Sequence, residues 1–438
     1  MEWWWAFIFI FGGLMVLLAS GLPIAFSFLV INIIGIYFFY GGQQGLTQLI
    51  LSIYAAVTNF SLLAVPMFLL MGEIMFQSGV ASSMIDTLDK WMGTFRARLS
   101  LLAVISGCIL AALTGVPMAS AALLGRNLIP EMEKRGYKNP MIIGPILSGS
   151  GLAMLIPPSS LGVLLASLAN ISVAKILIGG IMPGLILALF YSLYIILRCR
   201  FQPHLAPIYK SAHLPIRDKI GPTLKHLVPL VVIVFLVIGI VIIGIATPTE
   251  AAASGAVGCL FATALNRSLS WELLKRSLMN SMRFTVMVLT IIAGSTAFSQ
   301  MLAFSGASKG FILTATSLDL PPIVIVIAMQ IICLILGCFM EALTILMICI
   351  PIFFPIIESF GMDTIWFGIM LLLNMDIAAI SPPFGLTLFV FQGVAPPHVT
   401  IRDIYTGVIP IFLIEVLVLV LLLVFPGLTL FLVSFMTK

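Results

Sequence analysis

The chain is poor in charge. Only 8% of its 438 residues are Asp, Glu, Lys or Arg, roughly a third of the ~25% usual in soluble domains, so a water-soluble globule is excluded. Histidine is scarce, and His204, His213, His226 and His398 show no HExxH or comparable ligand spacing. The six cysteines, Cys108, Cys199, Cys259, Cys333, Cys338 and Cys349, form no CxxC pair. They fall in or beside apolar runs, where a thiol acts as a small packing residue. No nucleophile with a base and no metal-ligand set emerges, so an enzyme is not expected. The basic residues lack the stacking aromatics of a nucleic-acid platform, so no nucleic-acid partner is expected either.

What is abundant is apolar sequence: 61% of residues are hydrophobic and mean hydropathy is +1.22. The runs are long enough for helices that need roughly 20 residues to cross a bilayer, and they lack the alternation of barrel strands. The fold class is therefore an all-α polytopic membrane protein whose surroundings are the lipid bilayer. Trp3-Trp4-Trp5 and the apolar run to Ser20 read as an interfacial aromatic cluster and a retained span, because no basic n-region precedes them.

Proline carries the organisation. Ile156-Pro157-Pro158-Ser159 and Ser381-Pro382-Pro383-Phe384 lie 225 positions apart (382 − 157), as do Pro23 and Pro248, Pro130 and Pro355, and Gly136 and Gly361. The chain reads as two copies of one unit: repeat 1 over 1–200, a basic linker over 201–222, and repeat 2 over 223–438. Spans are expected near 3–20, 22–40, 50–77, 139–170 and 174–198, and again near 224–244, 248–265, 276–303, 365–396 and 406–433. Five crossings per copy is an odd number, so the second copy enters from the opposite face and the repeats have inverted topology. The basic stretch from Arg198 to Lys225 then marks the linker as cytoplasmic, which puts both termini outside. Lys and Arg also crowd 84–98, 126–138 and 266–283, the other segments placed inside. The outside segments keep Lys175, Lys309 and Lys438.

Apolar sequence at 99–130 and 321–357 is left over by this count. Each piece is centred on small or breaking residues and reads as a re-entrant helical hairpin; a pair of full spans with a tight turn keeps the same parity. The broken helices fall at about 139–170 and 365–396, interrupted at the Pro-Pro pairs, because proline lacks a backbone donor and clashes with the preceding turn. In hydrocarbon such freed carbonyls persist only where protein encloses them or where they line a wet cavity. Broken helices at matching places in two halves point to a transporter's binding site. The segment Ile85–Met92 is amphipathic and is expected in the interface plane, with Trp91 at headgroup level.

Acids inside the predicted membrane zone are Glu73, Glu250, Glu341, Asp376 and Glu415, each costly enough to need a reason. Glu341 and Asp376 lie in the marked elements and are the candidates for a cation site. Glu250 follows Pro248 and reads as a helix cap; Glu73 and Glu415 read as interhelical or subunit contacts. Oxygen for a hard cation comes from Gly149, Ser150, Ser159, Ser160, Thr344 and Ser381. Half-helix N-termini near Pro117, Ser159, Ala342 and Phe384, with Ser120 and Asn374 close by, would face an anion with partial positive charge and free N–H groups. The site chemistry is therefore cations plus an organic anion.

The runs Asn59–Glu73, Gly149-Ser150-Gly151-Leu152 through Ser159, Ala246–Ala251, and Ile380-Ser381-Pro382-Pro383-Phe384-Gly385 resemble the large membrane subunit of tripartite ATP-independent periplasmic (TRAP) transporters across essentially the whole chain. That resemblance implies a sodium-driven importer of organic acids (a C4-dicarboxylate, sialic acid or similar carboxylate) in the bacterial inner membrane. It implies a periplasmic substrate-binding protein and a small four-helix membrane subunit as partners, Na+ as the coupling ion, and an elevator mechanism in which a domain holding both hairpins slides against a scaffold. It adds the tip and break segments Thr114, Gly115 and Met118 with Pro157 to Ser160, and Gly337 to Glu341 with Ser381 to Gly385, as sodium regions. The sequence departs from the family at Met340-Glu341, where Leu-Asp is frequent, and at Asn374-Met375-Asp376, where Asn-Leu-Glu is common. A self-sufficient sodium/dicarboxylate carrier, needing no binding protein, is the alternative.

Overall fold

The computed structural model describes residues 3–208, 215–317, 320–383 and 385–436, without the side chains of Ser61 and Thr114. Every regular element among them is a helix. The first half runs α1 (Trp3–Ala19), α2 (Ile24–Phe39), α3 (Gln43–Val57), α4 (Ala64–Gln77) and α5 (Val80–Trp91). Then come the hairpin α6 (Arg98–Thr114) and α7 (Pro117–Lys134), the broken pair α8 (Asn139–Gly151) and α9 (Ser160–Leu168), and α10 (Val173–Phe201). The second half runs α11 (Ile216–Ile242), α12 (Pro248–Leu265), α13 (Trp271–Phe304) and α14 (Ala307–Ser317). It ends with the hairpin α15 (Pro322–Gly337) and α16 (Ala342–Ser359), the broken pair α17 (Thr364–Ile380) and α18 (Leu386–Val394), and α19 (Ile401–Val424).

Element starts recur at the sequence offset: α7 and α16 differ by 342 − 117 = 225, and α8 and α17 by 364 − 139 = 225. By length and composition α10, α11, α13, α16 and α19 are each able to cross a membrane, and α4 with α5 forms a further candidate bent by 67°. Large apolar side chains such as Phe38, Leu189, Phe235 and Phe261 stand exposed on the outer helices, as a lipid-facing surface requires.

Three expectations change. The span expected at 50–77 is two helices, α3 and α4, separated by a 3-10 turn at Phe60–Leu63. Pro66 sits in the first turn of α4 and its ring opposes a helical carbonyl four residues earlier. At the matching position of the second half stands Ile291 (66 + 225), and α13 runs unbroken for 34 residues. The last span shifts from 406–433 to 401–424: Thr400 and Asp403 form a capping box at its start, and Pro426 follows its end. The linker boundary at 222 falls inside α11, which is already helical from Ile216.

The acids outside the breaks serve structure. Glu250 closes a capping box with Thr247 at the start of α12. Glu73 accepts a hydrogen bond from Asn280 Nδ2 at 3.2 Å, tying α4 to α13. α5 leaves α4 at Gly79, whose φ of +72° turns the chain where another residue would be strained. Its Trp91 donates to Thr223 Oγ1 at 2.7 Å and lies under the Lys219 ammonium, so α5 is pinned to α11.

Small residues let the central helices approach. A Cβ added at Gly107 of α6 would overlap the Gly149 backbone of α8, and one at Gly149 would lie 2.6 Å from the Ala103 carbonyl. Close backbone contact of this kind is how membrane helices pack without a hydrophobic driving force. Gly107→Ala is expected to destabilise the fold by about 1–3 kcal/mol through overpacking, read as a lower unfolding midpoint in detergent. Gly393→Ala, where a Cβ meets open space, should leave the midpoint within experimental error.

Candidate functional site

The breaks and the tips meet at one place. A cavity of about 80 Å³ is lined by Gly115, Val116, Pro117 and Met118 of the first tip and by Met340, Glu341, Ala342 and Leu343 of the second. Met154, Ser160 and Leu161 reach it from the first break, and Ala378, Ala379, Leu386 and Thr387 from the second. Much of this lining is paired by the repeat: Gly115 with Met340, Val116 with Glu341, Pro117 with Ala342, Met118 with Leu343, Met154 with Ala379 and Leu161 with Leu386 each differ by 225. Val65 of α4, Leu164 of α9, and Phe284 and Val288 of α13 complete the wall.

Four helices begin here. The first residues of α7, α9, α16 and α18 are Pro117, Ser160, Ala342 and Leu386, and all four line the cavity. Each helix start leaves backbone N–H groups without intrahelical partners and carries a partial positive charge, so the assembly is suited to an anion. Ser159 caps α9 by accepting from Gly162 N at 3.1 Å. Among the described lining, Glu341 is the one ionisable side chain, and no Lys, Arg or His is present.

The freed carbonyls are held by protein. Ser160 Oγ donates to Gly115 O at 2.8 Å, stitching the first tip to the first break. Gly115 has φ +59°, and a Cβ there would stand 2.6 Å from the Pro158 carbonyl, so glycine is needed for both conformation and clearance. Tyr405 Oη of α19 donates to Pro383 O at 2.7 Å, and Gly385 N to Ser381 O at 2.9 Å.

Other candidate residues lie elsewhere. Asn374 is buried and donates to Gln330 O and Oε1 of α15 at 2.9 and 2.7 Å, holding the second hairpin to the second broken helix rather than facing the cavity. Gly149 is packing against α6, Gly337 packs on Ala378, and Ser150 Oγ donates to Leu147 O. Ser120, Pro157, Thr344, Ser381 and Gly385 are near the tips and breaks in sequence but outside the lining. Asp376 is fully buried and outside the lining, with its carboxylate against Gly151. Phe384 and the Thr114 side chain lie outside the described residues.

Several lining residues had no motif to announce them. Met340 lies within the second-tip segment, and Leu343 was reachable as the offset partner of Met118. Val65, Phe284 and Val288 arrive only through the packing of α4 and α13. Val116 and Phe284 also border a second cavity of about 150 Å³ with Glu73, Asn280 and Ser281. A third, of about 440 Å³, is lined by Ser295, Thr296, Ser299 and Gln300 further along α13. The spacing of 281, 284, 288, 295 and 299 puts these residues on one helical face, so one side of α13 runs past all three cavities.

The family model for the DctM component of tripartite ATP-independent periplasmic transporters matches residues 11–428. The chain belongs to that family of large membrane subunits. The C4-dicarboxylate TRAP transporter large permease protein DctM of Pseudomonas aeruginosa is 34% identical over 360 residues, covering 81% of this chain and 83% of the relative. The ectoine TRAP transporter large permease protein TeaC of Halomonas elongata is 27% identical over 95% of this chain and 96% of its own. The isethionate TRAP transporter permease protein DctMQ of Oleidesulfovibrio alaskensis is 27% identical over 86% of this chain but 59% of its own length. The YdaH transporter of Alcanivorax borkumensis has a related fold, with TM-score 0.61 at 15% identity over 88% of this chain and 90% of that one. These TRAP relatives are transport permeases, not enzymes, and this chain is a multi-pass membrane transporter subunit of the same kind.

Thr387 Oγ1 is buried in the TRAP subunit's cavity wall without a hydrogen-bond partner. Thr387→Val keeps the shape and removes that group. An unpaired buried hydroxyl costs about 1–3 kcal/mol, so the unfolding midpoint in detergent should hold or rise. A lowered midpoint would show that the hydroxyl is paired in the folded protein.

Proposed function

We propose that this chain is the transport subunit of a sodium-coupled importer of an organic acid anion, working in the bacterial inner membrane with a periplasmic binding protein and a small four-helix membrane subunit. The observation that carries the reading is the convergence of four helix N-termini on a cavity whose only described ionisable side chain is Glu341. The N-termini favour a carboxylate or similar anion; Glu341 opposes it. Two unit charges 4 Å apart repel by about 4 kcal/mol at an effective dielectric constant of 20. A sodium ion held by oxygen at the second tip removes that repulsion, so ion and solute bind better together than alone, which is the thermodynamic basis of symport.

The relatives' names give carboxylates, a zwitterionic acid and a sulfonate, and a cavity that grips by backbone N–H groups fits that breadth. Selection among them falls to the binding protein, which is a separate chain.

Inverted repeats, with the linker inside and both termini in the periplasm, bring one hairpin from each face, and tips entering from opposite faces meet at mid-depth. One face of α13 past three cavities offers the wall along which an elevator domain, holding both hairpins and both broken helices, moves its cargo. In that reading the hydroxyl- and amide-rich cavity opens outward and the Glu73 cavity inward.

Uptake into proteoliposomes containing the cognate small subunit, with loaded binding protein outside, tests the reading. Transport should require an inward sodium gradient and the binding protein, and Glu341→Gln should raise the half-saturating sodium concentration about tenfold, equivalent to 1.4 kcal/mol. Equal uptake in choline chloride would overturn sodium coupling. Equal uptake without binding protein would instead favour a self-sufficient carrier.

A further inference from the structure

The cavity at the tips and breaks measures about 80 Å³. One water takes roughly 10–15 Å³ on that measure, so the space is that of on the order of five to eight water-sized positions. A four-carbon acid fills it. A sugar acid or a sialic acid, with its ring and glycerol arm, exceeds it.

The wall restricts the solute as much as the size does. Among the described lining residues, side-chain oxygen comes from Ser160, Glu341 and Thr387, and none brings side-chain nitrogen. Ser160 Oγ already donates to Gly115 O at 2.8 Å, and Thr387 Oγ1 is buried within the wall. Glu341 could accept from a solute hydroxyl only in place of the cation that neutralises it in the reading above. The rest of the wall is apolar: Met118, Met154 and Met340 reach the cavity from the first tip, the first break and the second tip, and Leu161, Leu386 and Phe284 add branched and aromatic surface. Thioethers are flexible and polarisable, so three of them close around small bodies of differing shape.

A hydroxylated body is penalised against such a wall. Each hydroxyl taken from water and left without a partner costs roughly five- to a hundredfold in affinity, whereas each buried methylene gains roughly fourfold. The chain does have a roomier, hydroxyl- and amide-rich cavity of about 440 Å³, lined by Ser295, Thr296, Ser299 and Gln300. None of the first residues of α7, α9, α16 and α18 lines it. Room for a polyhydroxylated solute and the partial positive charge of the helix starts are therefore in different places.

We propose that the solute held at the tips and breaks is a compact acid with an unhydroxylated carbon body, its carboxylate toward the helix starts and its carbons against the three methionines. The proposal rests on the anion reading given above and narrows it, setting aside sugar acids and sialic acid. The binding protein selects what is delivered, and the cavity limits what passes.

Thermal unfolding of the purified full chain in detergent, titrated with sodium salts at constant ionic strength, tests this with matched pairs. The probes are butyrate against dihydroxybutyrate, succinate against tartrate, and N-acetylneuraminate as a large hydroxylated acid. An unhydroxylated acid should half-saturate its stabilisation about tenfold below its hydroxylated partner, and N-acetylneuraminate should not stabilise. Leu386→Asn, at an exposed position that opens α18, puts an amide into the wall and should shrink that ratio about threefold. Leu161→Asn, in the first turn of α9, serves if the first variant does not fold. A ratio unchanged in the variant places the acids outside this cavity and overturns the proposal. Hydroxylated acids that stabilise as well as or better than their partners overturn the solute class while leaving the anion reading intact. Equal stabilisation by neutral butyramide, or stabilisation by none of the acids, overturns the anion reading and the class with it.

Discussion

A helix broken inside a bilayer must give its freed backbone groups to protein. In this chain that obligation is met by bringing both breaks and both hairpin tips to one point. Ser160 reaches Gly115 O, Tyr405 reaches Pro383 O, and Gly385 N reaches Ser381 O. The first residues of α7, α9, α16 and α18 line that cavity. Hydrocarbon would make the unpaired N–H groups of those helix starts a liability of several kcal/mol each; enclosed together, they give the cavity partial positive charge with no basic side chain among the described lining.

Near-symmetry builds the site and departures from it give the site its chemistry. Where the first tip has Val116, the second has Glu341; where the first broken helix has Gly151, the second has Asp376. Pro66 splits the first half's helix at a point where Ile291 lets α13 run on. In each pair one residue meets the constraint of close approach and the other carries charge or length. Two strict copies would place like charges against each other across the midline.

The helix breakers were legible because Pro-Pro and its 225-residue echo act locally, through a missing donor and a steric clash. Hairpin arms, the broken helices and the capping role of Glu250 followed from the same local rules. The long span at 50–77 was misread because apolar composition hides a proline in a first turn. Asn374 looked like a solute ligand by its place near a break, yet Gln330, 44 positions away in sequence, takes its amide. Glu415 showed no breaker nearby, and nothing local marked Tyr191 as its partner 224 positions away.

The sequence by itself determined that this is a helical membrane protein whose helix breakers recur at an offset of 225 residues. These properties depend on residues within a turn or two of each other, or on bilayer thickness. Only the tertiary structure decided which interrupted ends share a cavity, that α13 and α4 wall it, and that Glu415 is buried against the Tyr191 hydroxyl. Those contacts join positions far apart along the chain through packing that no local pattern encodes. A cavity lined from both ends of the chain is set by how those segments dock, not by either segment alone.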